Sequence, residues 1–255
     1  MHLVLERVEE FALITIDRPK ALNALNLAIV DELRELLAEV RAGDARALFF
    51  TGRGDKAFSA GADIPELVNK SLRTHKLELE HGQSTFALLE RMPMPSVAII
   101  NGYALGGGLE LAMACTFRLA TPNARMGLPE VKIGNVPGYG GTQRLPRLIG
   151  EARATELVLT GRMVGAEEAE RMGLVNRVIT GEALPAAMAF AREFSANSLP
   201  VMAYGREAVA AAWMSSLADG MKIEADLASL AYGTADGTEG LAAFLEKRKP
   251  QFKDA

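Results

Sequence analysis

From Val97 to Cys115 the chain is apolar except for Asn101 and Glu110. A run of that length has to be buried, either in lipid or in protein. Four glycines interrupt it, at Gly102, Gly106, Gly107 and Gly108, and Glu110 stands within it. Glycines and a carboxylate are wrong for a membrane-spanning helix. A buried strand at Ser96–Ile100, a glycine turn and a buried helix at Leu109–Thr116 satisfy both constraints. The run therefore belongs at the centre of a folded core.

The rest of the chain can supply that core. It has 255 residues, 49% of them hydrophobic, enough for one large domain or a domain with a small appendage. The net charge is −4 and no basic stripe is present, which argues against nucleic-acid binding. The short basic run Lys247-Arg248-Lys249 reads as a solvated helix face. The single cysteine, Cys115, excludes an internal disulfide and reads as a small core residue rather than a nucleophile. No basic segment followed by an apolar one opens the chain, so no secretory signal is evident. The expected location is the cytoplasm; a mature chain of the mitochondrial matrix would look the same.

Local patterns give the order of elements. Leu3–Val8 and Phe11–Ile16 alternate like a strand pair turning at Glu9-Glu10. Leu27, Val30, Leu33, Leu36, Leu37 and Val40 have helical spacing, with Gly43 as a stop. A strand is expected at Ala45–Thr51 and a mostly helical stretch from Ile64 to Arg91, with a break near Ser71–Thr74. Short strands follow near Phe117–Ala120 and Ala124–Met126. A Gly/Pro-rich loop, Gly134–Gly141, leads into a helix from Thr142. Two short helices span Glu151–Met172, a last strand covers Leu174–Ile179, and Glu182–Lys249 reads as helical with interruptions near Ser198–Pro200 and Ala235–Gly237. The class is α/β, with a core at 1–195 and a helical C-terminal subdomain at 196–255. No sequence repeat is visible.

Three segments could carry chemistry. The triplet Gly106-Gly107-Gly108 costs a helix about 1 kcal/mol per glycine relative to alanine. A helix opening there needs close backbone approach or positive φ. Its free N–H groups, backed by the helix dipole, would stabilise an oxyanion. A tight packing turn explains the triplet equally well. Ala60-Gly61-Ala62-Asp63, between a strand and a helix, could supply a second N–H, although an ordinary β-α loop is the plainer reading. Glu110 falls in the first turn of the triplet helix among apolar neighbours, which favours a buried functional acid over a surface residue. Glu130, after Pro129, reads on its own as a surface glutamate. Two carboxylates in one apolar site would split their pKa values, so that one donates and the other accepts a proton.

Competing motifs fail. Gly52-Arg53-Gly54-Asp55-Lys56-Ala57 imitates a dinucleotide fingerprint but lacks its acidic partner downstream. There is no phosphate-binding Gly-x-x-x-x-Gly-Lys loop and no Gly-x-Ser-x-Gly elbow. His2, His75 and His81 lack zinc-ligand spacing, so no metal site is expected.

Taken together, the motifs resemble those of the crotonase (enoyl-CoA hydratase/isomerase) superfamily, and most closely its hydratases. The resemblance runs from Asp17-Arg18-Pro19-Lys20-Ala21-Leu22-Asn23-Ala24-Leu25 through Ala57-Phe58-Ser59-Ala60-Gly61-Ala62-Asp63 and Asn101–Glu110. It continues through Pro129-Glu130, Pro137–Leu145 and Glu239–Arg248. It implies a spiral of β-β-α units with two roughly perpendicular sheets, and C-terminal helices that build a trimer or a dimer of trimers. It also implies an acyl-CoA thioester substrate and no separate cofactor, CoA being part of the substrate. On this resemblance Glu110 and Glu130 are the catalytic pair, and the N–H groups of Ala62 and Gly107 form the oxyanion hole. CoA would follow Ala60, Gly61, Asp63, Ile64 and Pro65, with Phe244 and Lys247 reaching its nucleotide from a neighbouring subunit. The implied reaction is syn hydration of a trans-2-enoyl-CoA. Glu130 would handle the proton at C2, and Glu110 would orient and activate the water. The alternatives are a Δ3,Δ2-isomerase, a hydratase of a branched or aromatic-pathway acyl-CoA, and a non-catalytic or RNA-binding relative. One departure is Asp236-Gly237-Thr238, where relatives often carry a charge after the aspartate.

Overall fold

The computed structural model describes residues 2–255. Strands β1 (Leu3–Val8) and β2 (Phe11–Ile16) form the expected antiparallel hairpin. Helix α1 (Leu27–Ala42) follows, capped by Asn26, whose side chain accepts from the Ile29 N–H. Its apolar stripe of Ile29, Val30, Leu33, Leu37 and Val40 is buried.

The β-β-α pattern then recurs. Strands β3 (Leu48–Gly52) and β4 (Ala57–Ser59) precede α2 (Leu72–Glu90), while β5 (Ser96–Ile100) and β6 (Tyr103–Leu105) precede α3 (Gly107–Ala114). Strands β7 (Phe117–Ala120) and β8 (Arg125–Gly127) lead through a 3-10 turn, Pro129–Ile133, to α4 (Gly141–Ile149). After these come α5 (Glu151–Thr160), β9 (Val164–Gly165), α6 (Ala166–Met172) and β10 (Arg177–Val178). The last helices are α7 (Ala183–Ala191), α8 (Leu199–Ala211), α9 (Leu217–Tyr232) and α10 (Ala235–Glu246).

Successive units feed two sheets. The larger has the order β1-β2-β3-β5-β7-β10 and the smaller β4-β6-β8-β9. From β2 to β10 all neighbours in the larger sheet are parallel. Parallel strands are buried on both faces and so read as continuous apolar runs. Ile14, Phe50, Ala98 and Ile100 face one core, beneath α1 and α3. Leu13, Phe49, Val97 and Ile99 face another, sealed by Phe190 and Ala187 of α7. The apolar run from Val97 thus becomes β5, β6 and α3, in a mixed α/β fold with C-terminal helices.

Several boundaries differ from expectation. β3 starts at Leu48 rather than Ala45, and the strand expected over Leu174–Ile179 pairs only at Arg177–Val178. The break in the 64–91 stretch falls before Ser71, which caps α2 by accepting from the Thr74 N–H, and Ile64–Leu67 is a 3-10 turn. An unexpected gap separates α8 from α9, and Ser216 caps α9 through Asp219 N–H. The interruption placed at Ala235–Gly237 lies just ahead of it, where Thr234 accepts from the Gly237 N–H. Strands β4, β6 and β9 have only two or three residues, too few for alternation to register. Among the described residues no helix is long and apolar enough to cross a membrane.

Candidate active site

Strands β5 and β6 deliver the chain to Gly106, whose φ of 49° and ψ of −125° suit glycine alone. A Cβ there would stand 2.8 Å from Oε1 of Glu130. Gly106 also accepts the backbone N–H of Glu110 at 2.9 Å. One residue therefore lies against both carboxylate-bearing segments. Helix α3 then packs on β4 so closely that a Cβ on Gly108 would meet the Ser59 carbonyl at 2.3 Å.

The triplet helix also brings Gly107 beside Ala62, as a Cβ on Gly107 would lie 3.7 Å from the Ala62 nitrogen. Among the described residues neither the Ala62 nor the Gly107 N–H meets a protein acceptor. Two backbone donors are thus open at the positively polarised start of a helix.

The loop carrying Ala62 is held by residues that sequence reasoning had given no role. Leu25 N–H donates to Gly61 O at 2.7 Å, Asp63 N–H to Leu25 O at 2.8 Å, and Ala60 N–H to Leu22 O at 3.0 Å. Arg18 donates to the Ala24 carbonyl and to the Asp63 carboxylate, both at 2.8 Å. Buried Asn23 accepts from the Arg18 N–H and donates to Ala57 O at 2.7 Å. Leu22 and Asn23 both adopt positive φ, a conformation asparagine tolerates far better than leucine. The Asp17–Leu25 motif was visible; its job of bracing a loop across the site was not. Of the other loop residues, Ile64 and Pro65 start the 3-10 turn and Ile64 is exposed.

Glu110 sits in the first turn of α3 with 2% of its surface exposed. Its Oε1 accepts from the N–H groups of Tyr139 and Gly141, each at 2.7 Å. Burial pushes its pKa up to about 7, with the Glu130 charge adding and the two N–H groups and Arg144 opposing. Glu130 is the second residue of the 3-10 turn, after Pro129. Far from lying on an open surface, it is half-buried, and its Oε2 is shielded without a partner. Burial raises its pKa also. Two carboxyls with a hold on their protons thus border two open N–H groups, an arrangement suited to proton transfer beside a developing oxyanion.

Phe244 and Lys247 lie at the end of α10. Phe244 is 82% exposed near the end of α10, and Lys247 caps that helix in a left-handed conformation. No hydrogen bond or ion pair among the described residues joins either to the 60–65 loop. Among those residues no group of three His, Cys, Asp or Glu could hold a metal ion.

Known proteins resemble this chain over nearly its whole length. Residues 6–255 match the enoyl-CoA hydratase/isomerase family. A crotonyl-CoA hydratase of Syntrophomonas wolfei is 42% identical over 98% of this chain and 97% of its own length. A mitochondrial enoyl-CoA hydratase of Pongo abelii is 43% identical over 95% of this chain and 83% of its own. The crystal structure of an enoyl-CoA hydratase from Bacillus anthracis superposes with a TM-score of 0.94 at 36% identity, covering both chains fully. The chain belongs to the enoyl-CoA hydratase/isomerase family.

Proposed function

We propose that the protein is an enoyl-CoA hydratase, a hydro-lyase that adds water across the C2=C3 bond of a trans-2-enoyl-CoA. The observation that carries this reading is the pair Glu110 and Glu130 flanking Gly106, next to the open N–H groups of Ala62 and Gly107. The thioester oxygen would accept from both N–H groups, which draws electron density from C3. A water held between the carboxylates attacks C3 and gives a proton to Glu110. Glu130 delivers a proton to C2 on the same face, and exchange through water resets the pair. Charge gathering on the thioester oxygen is met by the two donors and the α3 dipole; one such donor is typically worth 10²–10³ in turnover.

The CoA portion would run along Ala60, Gly61, Asp63, Ile64 and Pro65. Its nucleotide would meet Phe244 and Lys247 of a neighbouring subunit in a trimer or a dimer of trimers, built through the 196–255 subdomain. Support comes from the apolar side chains that α8–α10 leave in solvent, including Met214, Leu217, Tyr232 and Leu245.

The test is loss of conjugated-thioester absorbance when the protein meets crotonyl-CoA, with Glu110→Gln and Glu130→Gln alongside. Rapid loss in the parent, reduced about 10²–10⁴-fold in each variant, is expected. Near-normal hydration by Glu130→Gln would remove that residue from the mechanism. No loss in the parent, with longer trans-2-enoyl chains as well, would turn attention to 3-enoyl isomerisation within the same family.

A further inference from the structure

The Glu110 carboxylate is held by the N–H of Tyr139, and that N–H belongs to a peptide that is gripped from its other end. Gln83, on α2, donates from Nε2 to the carbonyl of Gly138 at 2.8 Å. The Gly138 C=O and the Tyr139 N–H are opposite ends of one rigid, planar peptide unit. Gln83 and Glu110 are therefore connected in series through a single amide. We propose that Gln83 is a positioning residue for Glu110, fixing the Gly138–Tyr139 peptide so that its N–H faces the carboxylate. The proposal rests on the hydratase reading for its consequence in turnover, and on geometry alone for its effect on Glu110.

Packing and orientation are separable here. The loop's place is set by the Tyr139 ring, which lies on the backbone of α2 where a Cβ on Gly82 would strike it at 2.2 Å. Phe86 meets the same ring edge-on at 5.2 Å between centroids. Neither contact dictates which way the preceding peptide points. Gly138 lacks a side chain and leaves that peptide free to rotate. A rotated peptide would present its carbonyl to Glu110 in place of its N–H. The following carbonyl, that of Tyr139, has its own clamp, for Arg144 donates to it at 2.9 Å and pairs with Glu90 of α2 at 2.7 Å. Gln83 is the matching clamp one residue earlier. Hydrogen bonds in series polarise one another, so a donor on the Gly138 oxygen also strengthens the Tyr139 N–H.

Gln83 is exposed, so its replacement leaves the core intact. The other groups acting on Glu110 are Glu130 in the 3-10 turn, Tyr139 in the loop, and Gly141 and Arg144 on α4; Glu78 and Glu66 act on the Tyr139 hydroxyl. A substitution at 83 changes none of them. The Tyr139 N–H opposes protonation of Glu110, so weakening it raises the pH at which the carboxyl ionises.

The experiment compares the parent chain with Gln83→Met, similar in length without a donor, and Gln83→Lys, which restores one. The Met variant is expected to lose about three- to tenfold in kcat on crotonyl-CoA, the range of one net hydrogen bond, with KM little changed. The acid limb of its kcat profile should move up by roughly half a unit to one unit. Gln83→Lys should regain turnover, with its acid limb at or below that of the parent. The Glu110 carboxyl is also titrated without substrate by infrared difference spectroscopy, using Glu110→Gln to assign the band. An unmoved band and an unmoved acid limb in Gln83→Met would overturn the proposal. If the parent hydrates no enoyl-CoA, the hydratase reading falls while the carboxyl titration still decides the role of Gln83.

Discussion

Helices α3 and α10 are tied by resemblance to two ends of the same substrate, yet their surroundings are opposite. Every residue of α3 is buried. Helix α10 buries only Asp236 and Ala243 and leaves Leu241, Phe244 and Leu245 in solvent. The difference shows what one chain can complete alone. Burial shifts the Glu110 pKa to about 7, and fixed backbone donors orient its carboxylate, without help from a partner. Among the described residues no side-chain hydrogen bond, ion pair or ring contact orients Phe244 or Lys247, so a role for them depends on a surface that assembly would bring.

The comparison breaks most sharply on one substitution made in both regions. Gly108→Ala places a methyl group 2.3 Å from the Ser59 carbonyl, so α3 must move away from β4 and carry Gly107 with it. Turnover is expected to fall at least about 100-fold, as when an oxyanion donor is lost, and stability by about 1–3 kcal/mol. Gly205 on α8 has nothing within 4 Å of the same methyl position. Gly205→Ala should stabilise by up to about 1 kcal/mol with activity unchanged. Thermal melts and crotonyl-CoA kinetics on the pair check both; equal tolerance at the two positions would mean that α3 is not packed as tightly as it looks.

The buried carboxyl has its own signature. Folding raises the Glu110 pKa from 4.5 to about 7. Between those values the folded chain holds a proton that the unfolded chain releases. Stability therefore falls as pH rises through that window, and the full cost, about 3 kcal/mol, stands above pH 7. Glu110→Gln removes this cost while keeping an oxygen to accept from Tyr139 and Gly141. The variant should be more stable than the parent at pH 8, with the gap closing toward pH 4.5. Denaturant titrations at several pH values check this, and a gap independent of pH would mean that Glu110 ionises normally.

What the sequence showed follows the same division. The apolar run, the Asn26-capped helix and the glycine triplet were legible because each rests on local periodicity or on a conformation only glycine takes. The spiral itself was reached only through the family resemblance, since β4, β6 and β9 are too short to alternate and the units share shape rather than residues. Within the site, Glu110 stood out among apolar neighbours. Glu130 did not, because its shelter comes from Gly106, distant in sequence. Arg18, Asn23 and Gln83 were unreadable as site residues for the same reason. Each acts through a backbone carbonyl or a loop carboxylate that only folding brings near.

The gentlest test addresses α8–α10, whose apolar side chains stand in solvent. Leu217 is 83% exposed at the first position of α9, directly after its Ser216 cap. Aspartate there faces a helix N-terminus and favours the helix, so Leu217→Asp leaves the subunit folded. Combined with Met214→Glu, it puts two charges on a face that assembly would dry. The variant should elute as a smaller species, with KM for crotonyl-CoA raised about tenfold, equivalent to about 1.4 kcal/mol, and kcat little changed. That split follows because Glu110, Glu130, Ala62 and Gly107 all lie in one chain, whereas the nucleotide end would lose Phe244 and Lys247. If the variant stays assembled, this face is not the interface. If it dissociates with KM unchanged, the nucleotide end is complete within a single chain, and α10 has no part in holding CoA.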